Sequence, residues 1–249
     1  MKILVCAKQV PDTMEVKLGD DFTLQRDFVA QVLNPADESA LELALALRDL
    51  HGGSVTALTM GPPRVETMLR EILSRGADHA VQLTDSSFAG ADTLATARTL
   101  HAAVGMLGGF DLILCGRRAA DGETGQVGPM LASLLDIACV PNVTHVHIDG
   151  NKAFISQLTE YGTQNWQCTL PAVVTMCEWS YRLRLPSLHG LKTARMSKIP
   201  CYTPSHLGLD SKVCGLKGSP TRVVRVNARP IGARPCRKLT TVELLEIIG

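Results

Sequence analysis

Apolar residues in this chain come in short unbroken blocks, separated by longer stretches with helical spacing. The first block, residues 2–7 (KILVCA), reads as a buried parallel strand. Pro11-Asp12 breaks it, and residues 16–28, polar with Gly19 and paired acids, predict a loop or small hairpin. A helix is predicted over 35–51. Asn34 suits its N-cap, Pro35 its first position, and Asp37 and Glu38 its positive end. Ala40, Leu43, Ala44, Leu47 and Leu50 fall on one face, and Gly52-Gly53 ends the run.

The alternation then repeats. Strands are predicted at 54–60, 79–83 and 111–115. Helices follow at 64–75, from the Asp92 cap to 107, and at 129–135. Four strand–helix alternations specify an α/β fold with a doubly wound, mainly parallel, Rossmann-like sheet. After about residue 140 the pattern changes. Residues 143–149 and 152–159 around Gly150-Asn151 predict an added β-hairpin, and 165–170 and 172–176 two further strands. From Tyr181 the chain is basic, proline-containing and weakly periodic, which predicts an extended C-terminal arm with one short helix at 241–248. The expected division is a nucleotide-binding domain over 1–180 and the arm over 181–249.

Composition narrows the function. The net charge is +1 over 249 residues, so attraction to nucleic acid or an anionic membrane is not expected. Residues 222–238 are locally basic without interleaved aromatics, which suits a solvated or partner-facing segment better than RNA binding. Cysteines at 6, 115, 139, 168, 177, 201, 214 and 236 form no C-x-x-C pair, which argues against an iron–sulfur or zinc site. No apolar run reaches membrane-spanning length, and no leader pattern opens the chain, so a cytoplasmic location with reduced thiols is expected.

Open parallel sheets bind ligands beyond the carboxyl ends of their strands, where strand order reverses. The segment after the fourth strand, CGRRAADGETGQVGP, is the most informative. Gly116, Gly122, Gly125 and Gly128 free main-chain N–H groups to converge, the helix start adds partial positive charge, and Arg117 and Arg118 add full charges. Together they predict a diphosphate seat. Thr124 and Gln126 offer side-chain hydrogen bonds. Asp121 and Glu123 are expected to cap the helix or face hydroxyls. The run is neither G-x-G-x-x-G nor a P-loop, and glycine-rich βα loops also occur without ligands. Cys6, Met60 and Cys115 read as packing residues, and His145 and His147 as exposed strand residues rather than a metal pair. No nucleophile elbow is present, so redox chemistry falls to a bound cofactor and no catalytic side chain is expected.

These residues resemble the β (small) subunit family of electron transfer flavoprotein, nearly end to end. The similar segments are KILVCAKQVPD, LNPADESALELAL, TALTMGPP, LSRGADHAVQL, LILCGRRAADGETGQVGPMLA, LPAVVTMCE and RLPSLHGLKTA. The resemblance implies an adenine-nucleotide-binding sheet. Cys6, Asn34, Pro35, Ala36, Asp37 and Met60 would line the nucleotide. So would the loop Cys115, Gly116, Arg117, Arg118, Ala119, Ala120, Asp121, Gly122, Glu123, Thr124, Gly125 and Gln126. Val127 and Gly128 would let a longer FAD continue toward its flavin end, and Leu188 would anchor the redox partner.

One branch of that family holds AMP in this subunit as a structural ligand. Another holds a second FAD and bifurcates electrons from NADH. The DGETGQVGP run is closer to the FAD-holding branch, though that branch commonly has alanine where Gly125 stands. Gln157 and Tyr161 also depart from the family's usual residues. The resemblance further implies a heterodimer with an α subunit, embraced by the arm, and an acyl-CoA dehydrogenase-like or quinone-reducing partner. A stress-type adenine-nucleotide-sensing module and a structural subunit with an empty site are the competing readings. Neither explains the arm.

Overall fold

The computed structural model describes residues 1–12 and 30–224. The segment 16–28, the helix expected at 241–248 and all but the first residues of the basic stretch lie outside them.

Parallel pairing organises the molecule. Strand β1 (Lys2–Cys6) lies in the interior of a nine-stranded sheet. On one side it pairs with β4 (Ser54–Met60), then β5 (His79–Leu83); on the other with β6 (Leu112–Gly116), then β10 (Ala172–Met176) and β7 (Ala138–Asp149). The short β2 (Gln9–Pro11) and β3 (Gln31–Leu33) form a separate antiparallel pair. The chain thus builds outward from β1 on one side and returns to build on the other. The switch point falls between β1 and β6, the strand that the glycine-rich loop follows.

Both faces are covered. Ile3 and Val5 point to the face carrying α1 (Pro35–His51) and α2 (Glu66–Ser74). Leu4 points to the face carrying α3 (Thr93–Leu107) and α4 (Val127–Leu135). Strand side chains alternate with period two, so strands buried on both faces must be apolar throughout, and KILVC is nearly so. Asp92 caps α3 as expected, accepting from Ala95 N at 2.9 Å. Gly52, at φ 71°, receives the end of α1. Leu50 departs from expectation: it is 71% exposed, while Leu41 and Leu45, off the predicted stripe, are fully buried. The reason is that a later segment covers α1 from a second side: Ser39 meets Tyr181, and Arg184 grips Glu42.

The expected hairpin is present. Strands β7, β8 (Lys152–Thr159) and β9 (Gly162–Thr169) pair antiparallel, turning at Gly150 with φ 57°. β7 starts earlier than the pattern predicted, because its first residues pair parallel with β10 and its last ones antiparallel with β8. After Tyr181 the chain also carries α5 (Leu188–Met196), the edge strand β11 (Cys201–Tyr202) beside β5, and the short α6 (Gly215–Gly218). Ser219 and Thr221 return to Asp92 at the head of α3.

Candidate functional site

Strands β1 and β6 deliver Cys6 and Cys115 in register at their carboxyl ends. Cys115 is buried; a thiol–thiol hydrogen bond with Cys6 and then burial push its pKa well above the ordinary value, which keeps it an inert packing thiol. Cys6 and Met60 are half-buried beside the same core.

The start of α1 organises the crevice. Asn34 and Asp37 are 2% and 4% exposed, and neither faces solvent as an ordinary helix-start side chain does. Asn34 occupies the N-cap position but makes no side-chain cap. Its Nδ2 donates to Arg118 O at 3.0 Å, and its Oδ1 accepts from Ala120 N at 3.0 Å. Asp37 accepts from Lys8 N and Gly116 N, both at 2.8 Å. Two residues of one helix start therefore fix the ends of β1 and β6 and the first half of the loop through four hydrogen bonds. Gly116 is needed here: a Cβ would stand 2.3 Å from Asp37 Oδ1 and 2.7 Å from the Ala36 Cβ.

Past Ala120 the loop opens. Gly122, Glu123, Thr124, Gly125 and Gln126 are exposed, and nothing lies within 4 Å of a Cβ placed on Gly122. Glu123 and Gly125 adopt φ of 50° and 64°, in the left-handed region, and the Glu123 N–H turns back onto Ala119 O at 2.9 Å. Gln126 precedes α4 without capping it; its Oε1 instead accepts from Thr93 Oγ1 at 2.9 Å. An uncapped helix start behind an open glycine loop suits an anion. Gly128 serves packing: a Cβ there would meet Thr175 Cγ2 at 2.4 Å, so the missing side chain lets α4 sit on β10.

Charge is more balanced than the loop sequence suggests. Arg117 pairs with Glu178 at 2.6 Å, and Arg118 reaches Glu178 at 3.3 Å and Glu123 at 3.7 Å. Lys8 pairs with Asp121 at 2.6 Å. Burial pushes the Glu178 carboxyl upward, but hydrogen bonds from its own backbone and Arg117, together with the charge of Arg117, outweigh this and hold it below its ordinary value. Three cations thus face three carboxylates, which leaves the side chains of the loop with little excess positive charge. Glu178 escaped the sequence reading, since nothing local links it to the loop, whereas Lys8 sits just beyond the first strand, a segment expected at the crevice. Asp121 and Glu123 serve as counter-ions in these pairs. Leu188 lies far along the chain at the start of α5, 88% exposed.

A groove of about 480 Å³ touches Lys2, Ser54 and His79. These residues start their strands, so it opens at the end opposite the loop, where doubly wound sheets do not seat nucleotides. Among the described residues, no group of three or more His, Cys, Asp or Glu is placed to hold a metal, and no helix is long and apolar enough to cross a membrane. His145 and His147 are both exposed; His145 Nδ1 lies 2.9 Å from the Tyr181 hydroxyl.

Comparison with known proteins gives this geometry its context. The model of the electron transfer flavoprotein domain matches residues 21–197. The chain belongs to the electron transfer flavoprotein family. It is 43% identical to an electron transfer flavoprotein subunit beta of Thermoanaerobacterium thermosaccharolyticum, covering 90% of this chain and 86% of that one. It is 41% identical to the caffeyl-CoA reductase-Etf complex subunit CarD of Acetobacterium woodii, over 92% and 88%. It is 40% identical to protein FixA of Azorhizobium caulinodans, over 99% and 90%. Within the family its similarity is to β-subunit chains, and the switch-point loop lies inside the matched domain.

Proposed function

We propose that this chain is the small subunit of a heterodimeric electron carrier and that its switch-point loop holds FAD. The observation that carries the reading is the open Gly122–Gln126 segment, fixed at its root by Asn34 and Asp37 and running into an uncapped helix. Main-chain amides there suit a pyrophosphate without an excess of cationic side chains. The DGETGQVGP run supports FAD over the AMP that other family members hold. Bound flavin supplies the electron chemistry that no side chain at the site provides.

The chain's own residues have binding and positioning roles. Asn34 and Asp37 set the loop, Thr93 holds Gln126 at the start of α4, and Glu178 orients Arg117 and Arg118 beside the phosphates. Aromatic residues are only 4% of the chain, so the flavin ring needs walls from the α subunit. The proposal extends to NADH as the electron source, with bifurcation between two acceptors. One acceptor is an acyl-CoA dehydrogenase-like or quinone-reducing partner docked at Leu188. Similarity to CarD, named for a caffeyl-CoA reductase complex, supports that partner class.

Titrating FAD and AMP into the full chain, alone and with its α subunit, tests the site. FAD is expected to bind far more tightly to the dimer and to displace AMP. Equal FAD affinity in both samples would count against a shared site, and failure of FAD to displace AMP would assign the site to AMP.

A further inference from the structure

Asp37 lies in the first turn of α1, with its side chain withdrawn from water. Its two oxygens serve different strand ends. Oδ2 accepts from Lys8 N just beyond β1, and Oδ1 accepts from Gly116 N at the end of β6, each at 2.8 Å. Those amides flank the crevice at which the sheet switches direction. The Asn34 side chain, on the same helix start, also favours the ionised carboxyl. An ionised carboxylate offers acceptor sites in every one of these directions. A protonated acid, or an asparagine, presents a donor at one of its two positions, where it meets an N–H that also donates.

We propose that Asp37 is a proton-linked positioning residue. Ionised, it clamps the Lys8 and Gly116 amides and holds the Gly116–Gln126 loop in the shape that takes a nucleotide's phosphates. Protonated, it releases one amide, and nucleotide affinity falls. The proposal rests on the nucleotide-binding reading given above and adds a control to that site.

The charges around the carboxyl fit such a device. Lys8 contributes a favourable field, but its ammonium is paired with Asp121. On the β6 side, Arg117 and Arg118 are engaged by Glu178. The Cys6–Cys115 thiol pair lies at the same strand ends, and the Asp37 charge helps to keep Cys115 protonated. On α1 itself, Glu38 interacts with Arg75 and Glu71 on the far side. The principal donors to Asp37 are therefore main-chain amides rather than a committed cation. Burial raises its pKa from 3.8 to about 7, against the pull of the Lys8 amide, the Asn34 side chain, the Gly116 amide and the Lys8 charge. The clamp changes state across the neutral range.

The test is the affinity for FAD, whose diphosphate does not titrate near neutrality, of the full-length chain paired with its FAD-loaded α subunit, from pH 8 to pH 6. For a clamp that must be ionised, wild-type affinity falls about tenfold over that interval, because the competent fraction falls by that factor. Asp37→Asn is expected to show the weakened, low-pH affinity at every pH. AMP serves as a second probe, read as the wild-type to variant ratio so that the titration of its own phosphate cancels. Should the variant not fold, amide exchange in the wild type decides. After correction for intrinsic rates, protection of the Lys8 and Gly116 amides is expected to fall between pH 8 and 6. A flat wild-type affinity, an equal decline in the variant, or unchanged protection overturns the clamp. If neither nucleotide binds at any pH, the nucleotide reading fails instead, and amide exchange still scores the clamp.

Discussion

Gly116 and Asp37 show how much a single position does at this site. The glycine allows a carboxylate to approach the end of β6, and the carboxylate holds that end to β1. Gly116→Ala forces a Cβ into Asp37 and Ala36, and about 1–3 kcal/mol of stability is expected to be lost. Urea unfolding measures it, and a loss below a few tenths of a kcal/mol would mean that α1 yields easily. Asp37 also carries a linkage signature. Its folded pKa of about 7 lies above its ordinary 3.8, so the native state takes up the proton more readily than the unfolded chain. The stability it contributes is present at low pH and is lost as pH rises toward and through 7. The stability of wild type relative to Asp37→Asn should therefore shrink from pH 5 to pH 8; a growing difference would contradict the raised pKa. The glycines of the loop were legible in the sequence. The staples were not, because Asn34 and Asp37 meet Ala120 and Gly116 across 86 and 79 residues, and a helix-start motif explains Asn34 equally well as a cap.

At the scale of elements, β1, β4, β5, β6 and the helices between them were legible because their apolar periods are clean. Helix α5 was not. Of its nine residues only Ala194 is buried, and Gly190 interrupts it, so it has no apolar stripe to read. Neighbours hold it in place. Ser187 caps it by accepting from Gly190 N, and Gly190 passes so close to Ser74 that a Cβ would stand 2.1 Å from the carbonyl oxygen. From α2, Arg70 donates to Ala194 O at 2.6 Å, near the helix end. Upstream, Arg184 forks onto Glu42 and reaches Asp49 at 2.7 Å. Arg184→Ala is expected to cost about 1 kcal/mol, a modest figure because the guanidinium is a third exposed. It should also speed proteolytic cleavage between residues 181 and 196. Unchanged cleavage would show that Ser187 and Gly190 suffice to hold the segment.

For the whole molecule, one topological fact links fold to function. The sheet grows from β1 in both directions, so a crevice must open between β1 and β6, and the glycine loop follows β6 directly. Strand–helix alternation implied that crevice before any coordinates. The reach of the C-terminal segment back over α1, α2 and α3 was not implied, because its contacts depend on distant partners. That segment presents Leu185, Leu188 and Met196 to solvent at 84%, 88% and 80%. Leu188→Ala should leave folding within about 0.5 kcal/mol and nucleotide binding intact, as expected for an exposed position. It should slow electron delivery to the partner, and equal rates in a reduction assay would remove Leu188 from docking. The central claim is that the loop after β6 seats a dinucleotide. Its most direct test is to purify the chain with its α subunit, release the bound nucleotides and identify them by mass and visible absorbance. Two FAD per heterodimer are expected, one of them lost when Gly122 is replaced by a bulky residue; a heterodimer with AMP or no nucleotide on this chain would contradict a dinucleotide seat.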